Sequence, residues 1–412
     1  MIHIVKGKIL LLFFGALVSA SGFGQTLVDN PLDEIISNGE YSYGPWASAP
    51  EKYEIQVLYS EIDRNPDGTI SLKTHRWGTA DTSQYFYPAS TVKMPAAVLA
   101  LQYLNELGVQ GLSPQTLLFH GTGTAPAAAP QTAVISDSTS ASGYPSLEHY
   151  IRKIFLVSDN DAYCRLFELL GPTYLNQALH RAGIFGGRLQ HRVGVGGFDT
   201  ETHAWLNPVR FVNGLETPYQ IGERHDRYFD PLPHIKGQHR GKGYTTNEGD
   251  LINEPFDFSH KNYLSVRNLH DIVLRIVLPE AVPPAQRFLL EEDDYALLRR
   301  AMAERPRESD FPKYDKPDNY VKFWCFGDQP EETIIPDGLR ILNKVGWAYG
   351  YLTDAAYITD SESGREFILV GTIHVNENRI FNDGVYEYEE IGLPFFGELG
   401  RAILAYERAK GN

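Results

Sequence analysis

The chain has 412 residues, of which 42% are hydrophobic and 22% are charged, and no long tract lacks apolar side chains. This composition predicts a folded protein with a sizeable core and excludes an intrinsically disordered chain. The net charge is −15 and there is no basic tail. That balance argues against nucleic-acid binding, because such binding depends on Lys and Arg neutralising phosphates.

Residues 1–24 have the pattern of a secretory signal peptide. Lys6 and Lys8 precede an apolar run, and small residues follow it up to Gly24. The apolar run is too short to span a bilayer comfortably. We therefore expect cleavage near Ala20 or Gly24, a periplasmic or secreted mature chain, and no stable membrane insertion afterwards. A retained membrane anchor is the alternative.

The first predicted elements of the mature chain form a β-hairpin. Residues 53–62 and 70–77 alternate between apolar and polar side chains as strands do, and residues 63–69 between them have turn chemistry. Residues 25–50, punctuated by Pro and Gly, are expected to pack on the surface.

The hairpin leads into residues 85–104, the stretch around which the functional prediction is built. Pro88 forces Tyr87 out of helical geometry, whereas the Ala- and Leu-rich second half is a strong helix former. Ser90 is therefore predicted at or near a helix N-terminus, with Lys93 one turn later on the same face. Unpaired N–H groups at a helix start carry partial positive charge, so the hydroxyl gains a neighbouring base and an electropositive cradle.

The middle of the chain is predicted to be mostly helical. Helical patterns cover residues 146–157 and 162–170, with Ser158-Asp-Asn160 between them, and return at 264–278 and 285–304.

A long polar and aromatic insertion spans residues 208–262. Three of its histidines, His225, His234 and His239, match no metal-ligand spacing, so no metal and no cofactor is expected.

Strand patterns at 339–347, 354–358 and 366–374 and a helix at 396–410 complete the chain. Because strands at both ends enclose a helical middle, we predict an α/β (α+β) fold in which one antiparallel sheet is flanked by helices and joined to a mostly helical lobe. The predicted single domain covers 25–412, with an α/β lobe at about 50–105 and 335–412 and a helical lobe at about 106–334. The only cysteines, Cys164 and Cys325, are consistent with either a disulfide or two buried thiols, and a monomer is expected.

Ser90 has a simpler interpretation as a helix cap, because a Ser-x-x-Lys arises by chance about once or twice in a chain this long. Three motifs in order argue against it: Ser90-Thr-Val-Lys93, Ser158-Asp-Asn160 and Lys344-Val-Gly346. The set is a signature of class A β-lactamases and penicillin-binding proteins. The sequence therefore resembles the serine β-lactamase and penicillin-binding protein superfamily, most of all class A β-lactamases, over most of residues 50–412.

The resemblance implies covalent catalysis by Ser90. This hydroxyl would attack an amide carbonyl and form an acyl-enzyme. Lys93 would be its base if burial lowers the pKa of the amine, and Ser158 would pass a proton to the leaving nitrogen.

The remaining site residues would bind substrate. Asn160 would hold the side-chain amide of the substrate together with Lys93, and Lys344 would supply positive potential for a substrate carboxylate. Gly346 belongs to the substrate-binding strand, and the N–H groups of Ser90 and Trp347 would form the oxyanion hole.

The chain departs from the class A pattern at the deacylating base. Class A enzymes carry a Glu four residues before an omega-loop Asn, but His203 stands four residues before Asn207, and Glu201 lies two before that. We expect His203, with Glu201 as the competitor, to activate the deacylating water; the alternative is that both face solvent. Val345 replaces the Thr or Ser that would bind a substrate carboxylate, and the insertion is expected to cover the cleft.

Four functions remain open from the sequence. The first is a β-lactamase that hydrolyses the cyclic amide. The second is a penicillin-binding or D-Ala peptidase type protein that deacylates slowly, the third is a serine esterase or peptidase, and the fourth is a binding module with a relic site. The expected partner is a small-molecule β-lactam or a cell-wall peptide.

Overall fold

The computed structural model describes residues 30–38, 41–79, 81–124 and 132–410. The predicted signal peptide lies outside these residues. No helix in the described part of the chain is long and apolar enough to span a bilayer.

The helices are α1 (Pro31–Ser37), α2 (Lys93–Leu107), α3 (Leu147–Val157), α4 (Asn160–Leu170), α5 (Pro172–Arg181), α6 (Val266–Val277), α7 (Glu292–Ala303) and α8 (Leu393–Ala409). The strands are β1 (Gln56–Arg64), β2 (Ile70–Gly78), β3 (Leu117–His120), β4 (Trp205–Leu206), β5 (Val209–Asn213), β6 (Glu216–Ile221), β7 (Arg224–His225), β8 (His239–Arg240), β9 (Gly243–Thr245), β10 (Leu251–Ile252), β11 (Phe256–Asp257), β12 (Leu339–Ala348), β13 (Tyr351–Asp360), β14 (Arg365–His374) and β15 (Ile380–Phe381).

The main sheet joins strands from both ends of the chain in the order β12-β13-β14-β1-β2, with every pairing antiparallel. This confirms the predicted fold class. The central strands β13 and β14 are buried over most of their length, whereas the edge strand β2 is largely half-exposed. This difference is expected when helices cover both faces of a sheet. The other edge strand, β12, is buried because α7 and residues 89–92 pack against it.

Two hydrophobic clusters lie on the two faces of the sheet. On one side α1 and α8 contribute to a cluster that contains Trp46, Trp324 and Phe396. On the other side α6 contacts the sheet, and α2 runs through the helical part with eleven buried residues. An Ala-rich helix is suited to this place because small side chains let neighbouring helices approach closely. The Ser90 motif is thus anchored on a buried helix.

Two local predictions need correction, and one of the two alternatives left open for the cysteines is found. The helix predicted over 285–304 begins only at Glu292, because Pro284–Gln286 forms a 3₁₀ turn and Glu291 opens the helix through a capping box. Residues 25–50 were expected on the surface, but Trp46 is fully buried against Phe395. Cys164 and Cys325 are both unpaired and buried.

The insertion is built from short strands. Its strands β5 and β6 join β3 in a three-stranded sheet. Its strand β7 pairs with β4, which precedes the insertion, and β8 pairs with β11. Its strands β10 and β9 form a sheet with β15, which comes from near the C-terminus.

Candidate active site

Ser90 lies on a tight turn directly before α2. Residues Ala89–Val92 form a 3₁₀ turn and the α-helix starts at Lys93, so Ser90 precedes the helix and does not cap it by a side-chain hydrogen bond. Thr91 holds the turn, since its N and its Oγ1 both donate to Pro88 O, at 3.1 and 2.7 Å. Ala89 has a φ of 46°, in the left-handed region that non-glycine residues rarely adopt. Such strain clusters at functional sites.

Lys93 is fully buried and its ammonium points at the second motif. Nζ donates to the main-chain oxygen of Ser158, to Ser158 Oγ at 3.3 Å and to Asn160 Oδ1 at 2.6 Å. Removal from water disfavours the charged form and lowers the pKa of Lys93 to about 7, although the nearby Asp159 carboxylate opposes the shift. Near neutral pH the amine can therefore act as a base. Within the described residues no hydrogen bond joins Nζ to Ser90 Oγ.

Ser158 bridges two lysines. It caps the C-terminus of α3 with a φ of 58°, and its Oγ accepts from Lys93 at 3.3 Å and from Lys344 at 2.9 Å. Because both lysines donate to the oxygen, the hydroxyl proton is left free to donate to a third group. Lys344 is buried and also donates to Val345 O at 2.7 Å. Burial and the neighbouring Lys93 both hold the pKa of Lys344 well below its ordinary value.

Asn160 sits at the first turn of α4 and touches the glycine-rich segment 194–197. A side chain at Gly194 would place its Cβ 2.1 Å from Asn160 Nδ2, and the φ of Gly194 is 67°. Glycine is needed there for both reasons. The segment thereby fixes the amide that holds Lys93.

The third motif brings strand β12 against the Ser90 turn. A Cβ on Gly346 would lie 2.4 Å from Pro88 O and 2.9 Å from Ser90 N, so only glycine lets the two backbones approach this closely. Trp347 follows with 52% of its surface exposed, stacked between Phe323 at 6.0 Å and Tyr388 at 5.7 Å. β12 is an edge strand, so one row of its N–H groups is not used by the sheet.

These residues surround a cavity of about 710 Å³. Five predicted site residues line it: Ser90, Ser158, Asn160, Gly346 and Trp347. Lys93 and Lys344 are buried behind the lining and donate hydrogen bonds to lining residues: Lys93 to Ser158 and Asn160, and Lys344 to Ser158 and Val345. The lining is rich in aromatic rings, and among its residues in the described part of the chain Asp383 is the one charged side chain.

The cleft is bordered by a segment that the sequence did not identify. Residues 382–386, after β15, contribute Asp383 and Tyr386 to the cavity, whereas no described residue of the 208–262 insertion lines it. The prediction that the insertion covers the cleft is therefore wrong. The Asn382-Asp383-Gly384 run signals only a turn, and nothing in it points to a site.

The structure does not bring His203 or Glu201 to Ser90. His203 lines a second cavity, where its Nδ1 accepts from Arg192 N at 3.3 Å. Burial and the Arg192 cation lower the pKa of His203 to about 3. Glu201 is on the surface and pairs with His225 at 3.1 Å. Neither residue lines the Ser90 cavity, so the placement gives no support to the predicted deacylating base.

Comparison with curated proteins found no significant match. Among solved structures, a β-lactamase from Sphaerobacter thermophilus is 13% identical, with 91% of this chain and 96% of that chain covered and a TM-score of 0.47. A β-lactamase from Burkholderia ambifaria is 14% identical, with coverage of 89% and 98% and a TM-score of 0.45. The structure of PBP-A is 16% identical, with coverage of 92% and 96% and a TM-score of 0.45.

A family model gives the decisive comparison. The model of the Beta-lactamase enzyme family matches residues 67–406, which include all three motifs and the whole cavity lining. The chain therefore belongs to the Beta-lactamase enzyme family.

Proposed function

We propose that the protein is an exported, class A-like serine hydrolase that opens the cyclic amide of β-lactams by forming an acyl-enzyme at Ser90. The observation that carries this proposal is the arrangement around Lys93. A buried amine with a pKa of about 7 lies three residues from an unbonded serine hydroxyl and donates to the oxygens of Ser158 and Asn160. A solvent-facing lysine beside a capping serine would show none of these contacts.

The acylation step follows from these contacts. Neutral Lys93 takes the proton of Ser90 as Oγ attacks the amide carbonyl, and the N–H groups of Ser90 and Trp347 stabilise the oxyanion. When the tetrahedral intermediate collapses, the carbon–nitrogen bond breaks and the leaving nitrogen takes the free hydroxyl proton of Ser158. A proton returns to Ser158 from one of the two lysines that donate to its oxygen.

Deacylation is the point on which a second function depends. A water molecule must attack the acyl-enzyme, and neither His203 nor Glu201 lines the cavity from which this water would come. Asp383 does line it, but its oxygens already accept hydrogen bonds from Asn378 at 2.8 Å and from Val385 N at 3.0 Å. This placement favours a penicillin-binding type protein, whose acyl-enzyme persists, as the second candidate.

One experiment tests both candidates. The purified protein is incubated with a fluorescent penicillin and with a nitrocefin-type chromogen, and intact mass and colour are followed over time. A transient adduct with continuous colour supports the β-lactamase, and a lasting adduct without turnover supports the penicillin-binding function.

The absence of both an adduct and colour would refute both candidates. Labelling of Ser90 by an activated phenyl ester alone would then point to an esterase. Ser90→Ala is the matched control for each reagent. Export is tested separately, by fractionation of cells that express the full chain.

A further inference from the structure

A second cavity of about 300 Å³ lies between the segment 190–204 and the insertion, and it shares no lining residue with the Ser90 cavity. This volume is at the lower end of the range for small-molecule sites. The mechanism proposed above uses none of its side chains, and so the cavity needs a separate explanation.

Three hydrogen-bond donors in its lining lack a partner among the described residues. Lys261 is half-buried, and its Nζ makes no hydrogen bond or ion pair there; it lies over the Phe256 ring, 5.9 Å from the ring centroid. The Gln190 Nε2 atom is buried and unpaired. His203 accepts through Nδ1 and therefore carries its proton on Nε2, which makes no hydrogen bond there either. Of these three donors the Gln190 Nε2 atom is fully buried, and a buried donor without a partner is costly, so an acceptor is expected at this cluster.

Lys261 and Arg227 are the cations of the lining, whereas Arg192, next to His203, pairs with Glu168. The groups that act on the pKa of His203 are Arg192 and Lys261, both cations, and they act in the same direction as burial. Desolvation also lowers the pKa of Lys261, although Asp257 partly opposes it. An anion placed beside Lys261 would pair with an ammonium that has no hydrogen bond or ion pair among the described residues.

Three carboxylates also line the cavity, but each already accepts a hydrogen bond from a nearby residue. Asp199 and Asp257 accept from backbone N–H groups two or three residues later, each at 2.7 Å, and Asp226 accepts from Thr173. Each carboxylate is thus partly satisfied by its own neighbours, whereas Lys261 Nζ and Gln190 Nε2 have no partner among the described residues.

Flat aromatic pairs form the rest of the lining. Phe198 stacks on His203 with ring centroids 5.1 Å apart and an angle of 14°, and Phe229 stacks on His260 at 5.2 Å and 30°. Phe229 is 47% exposed, so part of its ring is accessible to a ligand. Such surfaces favour planar, aromatic ligands.

We propose that this second cavity binds a small aromatic carboxylate, with the carboxylate at Lys261, His203 and Gln190 and the ring against Phe229. The site is independent of the chemistry at Ser90, and nothing in the proposed reaction needs it.

The test is a calorimetric titration of the purified protein with benzoate, with benzamide and cyclohexanecarboxylate as matched probes. We expect benzoate to bind, benzamide to lose the charge-assisted hydrogen bonds, and cyclohexanecarboxylate to lose the ring stacking.

Lys261→Met should weaken benzoate binding at least about tenfold, since it removes a charged donor. Lys261→Arg should retain most of the affinity, and Phe229→Leu, at a half-exposed position that tolerates change, should weaken binding about threefold to tenfold.

Asp383→Asn changes the Ser90 cavity and is the control for benzoate binding there and not in the second cavity. Benzoate binding that is lost in Asp383→Asn and kept in Lys261→Met would overturn the proposal, as would equal binding of benzoate and benzamide. No measurable heat for benzoate at millimolar concentration would also overturn it.

Discussion

Replacement of Lys93 by Met tests the central assignment through two independent quantities. The first is the rate of Ser90 acylation, which should fall at least about 100-fold, the usual contribution of a positioned base. In the wild type the rate should rise about tenfold between pH 6 and pH 8, because the neutral fraction of an amine with a pKa of about 7 grows from roughly a tenth to nine-tenths. The variant should lose this pH dependence.

The second quantity is the free energy of unfolding. The unfolded chain holds the Lys93 proton up to its ordinary pKa of 10.5, whereas the folded chain releases it near pH 7. Between these values the folded state binds fewer protons, so the stability of the wild type rises relative to the variant as the pH increases. The expected slope is about 1.4 kcal/mol per pH unit, or up to ~5 kcal/mol over the whole interval.

Quench-flow intact-mass measurements give the acylation rates, and urea unfolding at several pH values gives the stability difference. Titrating groups away from Lys93 cancel in this difference because both proteins contain them, whereas Lys344, whose pKa Lys93 helps to lower, contributes to it as well. A variant that acylates within a few-fold of the wild type, or a stability difference that stays flat from pH 7 to 10, would refute the view that a buried, desolvated amine acts as the base.

Ser90→Ala should abolish covalent labelling and leave the melting temperature nearly unchanged, because Ser90 Oγ makes no hydrogen bond within the described residues; labelling that survives in intact-mass spectra would contradict its role as nucleophile. Gly346→Ala should lower acylation and cost about 1–3 kcal/mol of stability, since its Cβ would lie 2.4 Å from Pro88 O; unchanged unfolding and kinetics would mean that the backbones are not in contact. Val345→Thr should speed the acylation of Ser90 by a penicillin severalfold more than acylation by its methyl ester, because the hydrogen bond from the new hydroxyl is charge-assisted with the carboxylate and weaker with the ester; equal gains for both compounds would exclude a carboxylate contact. His203→Ala and Glu201→Ala should leave deacylation unchanged, and an adduct that accumulates in either variant would place that residue at the site after all.

The sequence by itself predicted the main sheet and the three motifs that meet at the cavity. The hairpin, the Ser90 turn and the strands near the C-terminus follow from local patterns, in which side-chain periodicity and turn chemistry act over a few residues. The motifs at Ser90, Ser158 and Lys344 are short, so each could be identified without knowledge of its neighbours. Their meeting in one cavity follows from the buried helix α2 and the edge strand β12.

Only the tertiary structure decided what surrounds these motifs. A count of residues before Asn207 pointed to His203 as the deacylating base. In the longer segment of this chain, however, the His203 ring lies in a second cavity, beside Arg192 and Phe198. Asp383 enters the Ser90 cavity from a segment far away in sequence, which carries no chemical signal of its own. The low pKa of Lys93 likewise depends on burial by α4 and β12, and contacts between residues so distant in sequence leave no local pattern from which they could be predicted.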